Sequence, residues 1–206
     1  MPALFAAVPT PPPFASEPAL HQGDDHGRVE PVRPLAAQGG LLTVVCTDIV
    51  GSTRISDRLG DQRWRGVLQA HNALVREQVA RHGGTEVKTS GDGFLLTFTS
   101  ARRAVRFGVD LQEALATYRD GHPDTPLEIR IGVHAGDVER DGDDVVGRNV
   151  SLASRLCGAA APGEVLASAV VVDLADSASD IGFGEGRELQ LAGIDRAVRA
   201  HPANGR

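Results

Sequence analysis

The chain has 206 residues and a net charge of -6 at neutral pH, enough length for one ordinary domain with a tail. An acidic balance without blocks of lysine or arginine argues against a nucleic-acid backbone or an anionic membrane as the main partner. The two cysteines, Cys46 and Cys157, offer neither a disulfide framework nor a metal-ligand spacing; they read as packing residues in a reducing compartment.

Residues 1–38 carry most of the prolines, with glycines and charges between them and no apolar period, so this segment is expected to be a disordered tail. Phe5 and Phe14 are its only aromatic residues and could form a docking peptide or do nothing specific. It has no basic leader, and prolines interrupt it before any long apolar run, so neither a signal peptide nor a membrane span is expected. The expectation is a soluble, cytoplasmic protein.

Leu41 to Thr53 then reads LLTVVCTDIVGST. Leu42, Val44, Val45 and Cys46 form a short β-branched run, which predicts a buried strand. Asp48 leaves the core at its end. Ile49, Val50, Gly51, Ser52 and Thr53 turn into a helical pattern, bringing backbone N–H groups and two hydroxyls to a helix N-terminus beside the carboxylate. Such a place suits a metal-bound phosphate, and equally lets Asp48 serve as a plain helix cap.

Arg54 to Gly60 predicts a first helical piece. Trp64, Val67, Leu68, His71, Leu74, Val75, Gln78 and Val79 predict a longer helix that stops at Gly83-Gly84. His71 and His82 are expected to be surface or cap residues rather than ligands. Thr85 to Phe98 holds two β-rich runs about Ser-Gly-Asp-Gly, a hairpin with Asp92 at its tip. An aspartate in a turn is ordinary. A second carboxylate at a strand end beside Asp48 is what a magnesium pair would use, because Mg²⁺ takes one or two acids and fills its other positions with phosphate and water.

Ala104 to Tyr118 predicts another amphipathic helix, closed by Gly121-His122-Pro123. Leu127 to His134 alternates as a strand, followed by a second run from Asp137 to Glu139. Arg130 points away from the Ile129 and Ile131 side, toward a solvated face or an anion. Past the turn Asp141-Gly142-Asp143-Asp144, Arg148 to Leu156 predicts a helix carrying Arg155. Shorter strands are expected at 164–167, 181–183, 188–191 and 197–200, and a helix at 169–175. The order gives an α+β, ferredoxin-like palm sandwich: a mostly antiparallel sheet with helices packed on one face. One domain is expected over 39–200, with a short tail at 201–206.

Four stretches, TDIVGST at 47–53, EVKTSGDGF at 86–94, RIGVHAGDV at 130–138 and DVVGRNVSLASR at 144–155, together resemble the class III adenylate/guanylate cyclase catalytic domain in order and spacing. The resemblance runs from Leu41 to about Leu191. It implies two Mg²⁺ (or Mn²⁺) ions held by Asp48, Asp92 and the Ile49 carbonyl. It implies that Lys88 and Asp144 read adenine, that Arg130 contacts the terminal phosphate, and that Arg155 steadies charge on the reacting phosphate. Adenine offers Lys88 a ring-nitrogen acceptor and Asp144 an amino donor, whereas guanine reverses both, so ATP is favoured. The implied reaction makes 3′,5′-cyclic AMP and pyrophosphate at sites shared between the two chains of a homodimer. No upstream regulator is legible in the sequence.

There are two departures from the family pattern. Its asparagine four residues before the arginine is Ser151 here, with Asn149 two positions off and roughly on another side of the helix. Its phosphate-binding lysine near the C-terminus is Ala192. Losing one positioned donor in such a site can cost about 10² in rate, so a slow enzyme is expected. A degenerate domain that binds nucleotide or dimerises is the alternative. A diguanylate cyclase shares a hairpin like SGDGF, but GRNVSLASR has no place there.

Overall fold

The computed structural model describes residues 40–125, 127–175 and 180–205. The Pro-rich segment expected to be disordered lies outside the described residues.

Strand β1 (Gly40–Ile49) opens the described chain and leads through Gly51 into α1 (Ser52–Leu59) and α2 (Asp61–His82). The hairpin of β2 (Thr85–Ser90) and β3 (Gly93–Phe98) follows, then α3 (Ala101–Gly121), β4 (Ile129–Asp141), β5 (Asp144–Val146) and α4 (Arg148–Ala159). The chain closes with β6 (Val165–Ser168), α5 (Ala169–Ala175), β7 (Ile181–Phe183), β8 (Arg187–Leu189) and β9 (Val198–Gly205). The sheet order is β2-β3-β1-β4-β6-β9-β7, with β5 added to β4 and β8 to β9. Every pairing is antiparallel except β4 with β6. The α+β sandwich expected from the pattern is the observed architecture.

Alternation along β1 sorts its side chains between two layers. Val45 and Ile49 join Phe94, Leu96, Ile131 and Val133 in the main core, which is covered by α2, α3 and α5. Phe98 and Phe107 meet there at 5.3 Å between ring centroids, and truncating either to Ala would cost about 3–5 kcal/mol. Val44 and Cys46 face the other way and pack with Leu95, Val138, Val145, Val150, Ala153 and Cys157. Thus α2, α3 and α5 share one face and α4 lies on the opposite one, which corrects the expectation that the helices pack on one face of the sheet. The β4–β5 ribbon lies on that same face, where Val145 joins Leu95 in one buried cluster.

Two glycines of β4 allow α4 to lie so close. A β-carbon on Gly132 would stand 2.2 Å from the Cys157 backbone nitrogen, and one on Gly136 would stand 2.5 Å from the Asn149 side chain.

Two further expectations are corrected. Residues 201–205 are not a tail: they form the second half of β9, with His201, Pro202 and Ala203 opposite Ala167, Leu166 and Val165, and Asn204 and Gly205 opposite Gly182 and Ile181. Pairing with β6 and β7 satisfies backbone groups that the turn-like sequence HPANG would otherwise leave to water. His71 is not a surface residue: it is fully buried against Phe94. His82, the last residue of α2, keeps the cap place expected of it, with its ring 3.0 Å from Asp110.

Candidate active site

Asp48 is the last even-numbered residue of β1 and therefore projects on the face that carries α4. Its register partner on β4 is Arg130, on the same face, and the two are joined by an ion pair from Arg130 Nη2 to Asp48 Oδ2. The anion that Arg130 reaches is thus Asp48. Nη1 of the same guanidinium donates to the Gly158 carbonyl at 3.2 Å, tying the pair to the end of α4. Burial pushes the Asp48 carboxyl up from its ordinary value; the Arg130 hydrogen bond pulls it down, and the charge of Asp92 adds to the rise.

The chain leaves β1 when the Val50 amide donates to the Glu128 carbonyl at 2.8 Å. Gly51 then takes a left-handed conformation (φ 65°), which a side chain would strain, and α1 starts at once. Ser52 and Thr53 of that first turn line an open depression of about 270 Å³ together with Ser56, Trp64, Gly91 and Asp92. The β1–α1 turn and the hairpin tip, 38 or more residues apart in sequence, therefore border one space.

Lys88 arrives by a different device. A β-bulge between Glu86 and Lys88 sets Lys88 opposite Leu95, whose side chain belongs to the α4 layer. From β5, Asp144 reaches the same place, and its Oδ2 accepts from Lys88 Nζ at 2.6 Å while Oδ1 accepts from the Val145 amide at 2.8 Å. Fifty-six residues separate this pair in sequence.

Helix α4 displays Ser151 and Arg155 one turn apart on its exposed side. Ser151 Oγ donates to the Gly147 carbonyl at 3.4 Å. Among the described residues Arg155 makes no ion pair with Asp48 or Asp92. Asn149 is turned inward: its Nδ2 donates to the Asp137 carbonyl at 2.6 Å, and its Oδ1 lies 3.1 Å from His134 Nε2. His134 Nδ1 in turn lies 2.8 Å from Ser168 Oγ. With His134 carrying its proton on Nε2, that ring donates to Asn149 and accepts from Ser168. Burial holds its pKa below the ordinary histidine value, against the opposing hydrogen bond of Asn149. The sequence reading missed this tie; the signal available was that His134 has the same strand parity as Arg130 and Gly132.

Both thiols are packing groups, as expected. Cys157 donates to the Arg130 carbonyl at 3.3 Å, and burial, with the nearby Asp48 charge, pushes its thiol up to about 12. Among the described residues no three His, Cys, Asp or Glu side chains converge as a metal cluster. No helix among them is long and apolar enough to cross a membrane.

Residues 36–199 match the model of the adenylate and guanylate cyclase catalytic domain. The chain is 34% identical over 125 residues to an adenylate cyclase of Streptomyces coelicolor, covering 61% of this chain and 32% of that one. Among solved structures it superposes on the guanylyl cyclase Cya2 with a TM-score of 0.74 at 25% identity, covering 81% of this chain and 93% of that one. The adenylyl cyclase CyaB from P. aeruginosa gives a TM-score of 0.73 at 26% identity, with 81% and 94% covered. The chain spans well under half the length of the curated relatives it matches.

Proposed function

Because the chain belongs to the adenylate and guanylate cyclase catalytic domain family, we propose that it is an adenylate cyclase that converts ATP to 3′,5′-cyclic AMP and pyrophosphate at sites formed between two copies of the chain. The ribose 3′-oxygen bonds to the α-phosphorus, the bond from that phosphorus to the α,β-bridging oxygen breaks, pyrophosphate leaves with the electron pair, and the hydroxyl proton passes to water.

The observation that carries the choice of ATP is the contact of Lys88 with Asp144, a donor and an acceptor side by side on one face. Adenine matches that order of groups with its ring nitrogen and amino group; guanine presents the opposite order.

Asp48, Asp92 and the Ile49 carbonyl would hold two Mg²⁺ or Mn²⁺ ions, and their oxygen character and small number fit cations that keep positions for phosphate. When bound, these ions supply activation of the 3′-hydroxyl and charge neutralisation on the triphosphate. The Gly51-Ser52-Thr53 turn offers backbone N–H groups and hydroxyls to phosphate oxygens beside Asp92. Arg130 binds the terminal phosphate with a fork-shaped donor set. Arg155, exposed on α4, suits a role across the dimer interface, where it stabilises charge on the α-phosphate and Ser151 adds a short donor.

The test is cyclic AMP and pyrophosphate production from ATP by the purified chain over a protein concentration series, with Mg²⁺ and then Mn²⁺, and GTP as control. Specific activity that rises with concentration and prefers ATP is expected. No product above an Asp48→Ala control, with the dimer confirmed, would leave the second reading: a degenerate domain that binds nucleotide or dimerises. The observations favouring that reading are Ser151, whose hydroxyl turns back to Gly147, and the exposed Ala192 where the family pattern has a cation.

A further inference from the structure

Asp48 and Arg130 face each other directly across β1 and β4 and are ion-paired. The guanidinium is nonetheless incompletely used. One Nη serves Asp48 and the other serves Gly158, while Nε is buried and has no hydrogen-bond partner among the described residues. A buried N–H without an acceptor costs free energy, and a guanidinium engaged one branch at a time forgoes the two-pronged geometry it forms best. A phosphate group, with several oxygens, would supply that geometry.

Asp48 has a matching problem. It is nearly buried and shares its surroundings with the Asp92 charge, so it requires a cation. A divalent ion and the Arg130 guanidinium cannot both take the same oxygen without mutual repulsion. The two residues therefore have two alternative partner sets, of which the first leaves Arg130 Nε unpartnered among the described residues. In one, Asp48 pairs with Arg130; in the other, Asp48 holds a metal and Arg130 holds phosphate.

Resting on the metal-binding reading of Asp48 given above, we infer that Arg130 is the resident counter-ion of Asp48 in the ligand-free chain and yields that place to a divalent cation when a polyphosphate arrives to take the guanidinium. Metal alone then binds weakly, and metal and nucleotide each strengthen the other by the same factor.

The experiment is Mn²⁺ titration of the full chain, followed by the electron paramagnetic resonance of free Mn²⁺, with and without 3′-deoxy-ATP, which lacks the attacking hydroxyl. Wild type, Arg130→Gln and Asp48→Asn are compared. Arg130→Gln should bind Mn²⁺ alone roughly tenfold more tightly than wild type, and the added nucleotide should then help it less. Equal or weaker Mn²⁺ binding by Arg130→Gln, with binding still lowered by Asp48→Asn, would show a merely structural pair and overturn the exchange while leaving the metal reading intact. Binding unaffected by Asp48→Asn in every state would overturn both. Should Arg130→Gln not fold, the wild-type chain decides: the ¹⁵N signal of the Arg130 Nε–H should stay in place with Mg²⁺ alone and move with Mg²⁺ and 3′-deoxy-ATP together. Movement with Mg²⁺ alone, or none with both, overturns the exchange.

Discussion

Gly132 lies so close beneath Cys157 that a β-carbon on it would stand 2.2 Å from the Cys157 nitrogen and 2.4 Å from the Ala153 carbonyl oxygen. The contacting atoms are helix backbone, which cannot rotate aside. Gly132→Ala should therefore lift α4 from β4 and cost about 3 kcal/mol or more, read as a lowered midpoint in urea unfolding. A loss below about 1 kcal/mol would mean that α4 is free to shift.

Lys88 and Asp144 sit at 2.6 Å as a donor–acceptor pair. Exchanging their hydrogen-bonding character, with Lys88→Glu and Asp144→Asn together, should raise the ratio of GTP to ATP turnover by about tenfold or more, because the pair would then accept where guanine donates and donate where it accepts. An unchanged ratio in a chain that still turns over would remove these residues from base selection.

Asp48→Ala and Asp92→Ala should each lower cyclic AMP formation by about 10³-fold or more, with the fold kept as judged by circular dichroism. Substantial turnover in either variant would be incompatible with a two-metal site on these acids.

Ser151 spends its hydroxyl on Gly147, and Asn149 is engaged with Asp137 and His134. Ser151→Asn should lengthen the donor on the exposed side of α4 and raise kcat by about tenfold. An unchanged kcat would show that the serine hydroxyl already serves. Asn149→Ala should act through stability, costing about 1–2 kcal/mol.

His71 and His134 are both held below the ordinary histidine value of 6.5 by burial. The folded chain takes up these protons less readily than the unfolded chain, which binds them once the pH falls below that value. Their contribution to stability is thus complete above about pH 6.5 and is lost as the pH drops below it. Thermal melts from pH 8 to pH 5 should show a falling midpoint, and His134→Gln should flatten part of that slope. A slope identical to wild type would mean that His134 takes its proton without cost.

Local patterns were legible because they are local. The β-branched run ending at Asp48, the hairpin about Gly91-Asp92 and the spacing of α2 and α3 depend on neighbours a few residues away, and they appear where the sequence places them. The motifs at 47–53, 86–94, 130–138 and 144–155 likewise pointed to the family that the chain belongs to. Period-two alternation even placed Arg130 on the face away from Ile129 and Ile131.

The partners on that face were decided only by tertiary structure. Asp48 meets Arg130 because β1 and β4 pair in one register across 82 residues, and a slip of a single residue would have turned them to opposite faces. That α4 covers the layer opposite α2 and α3 rests on the space left at Gly132 and Gly136, which no helical period reveals. His71 looked like a surface residue until the sheet closed over it, and HPANG looked like a tail until β6 and β7 supplied hydrogen-bond partners on both sides. Chain-local preferences set the elements; long-range register and close packing, whose energies arise only once distant segments meet, set which side chains share the site.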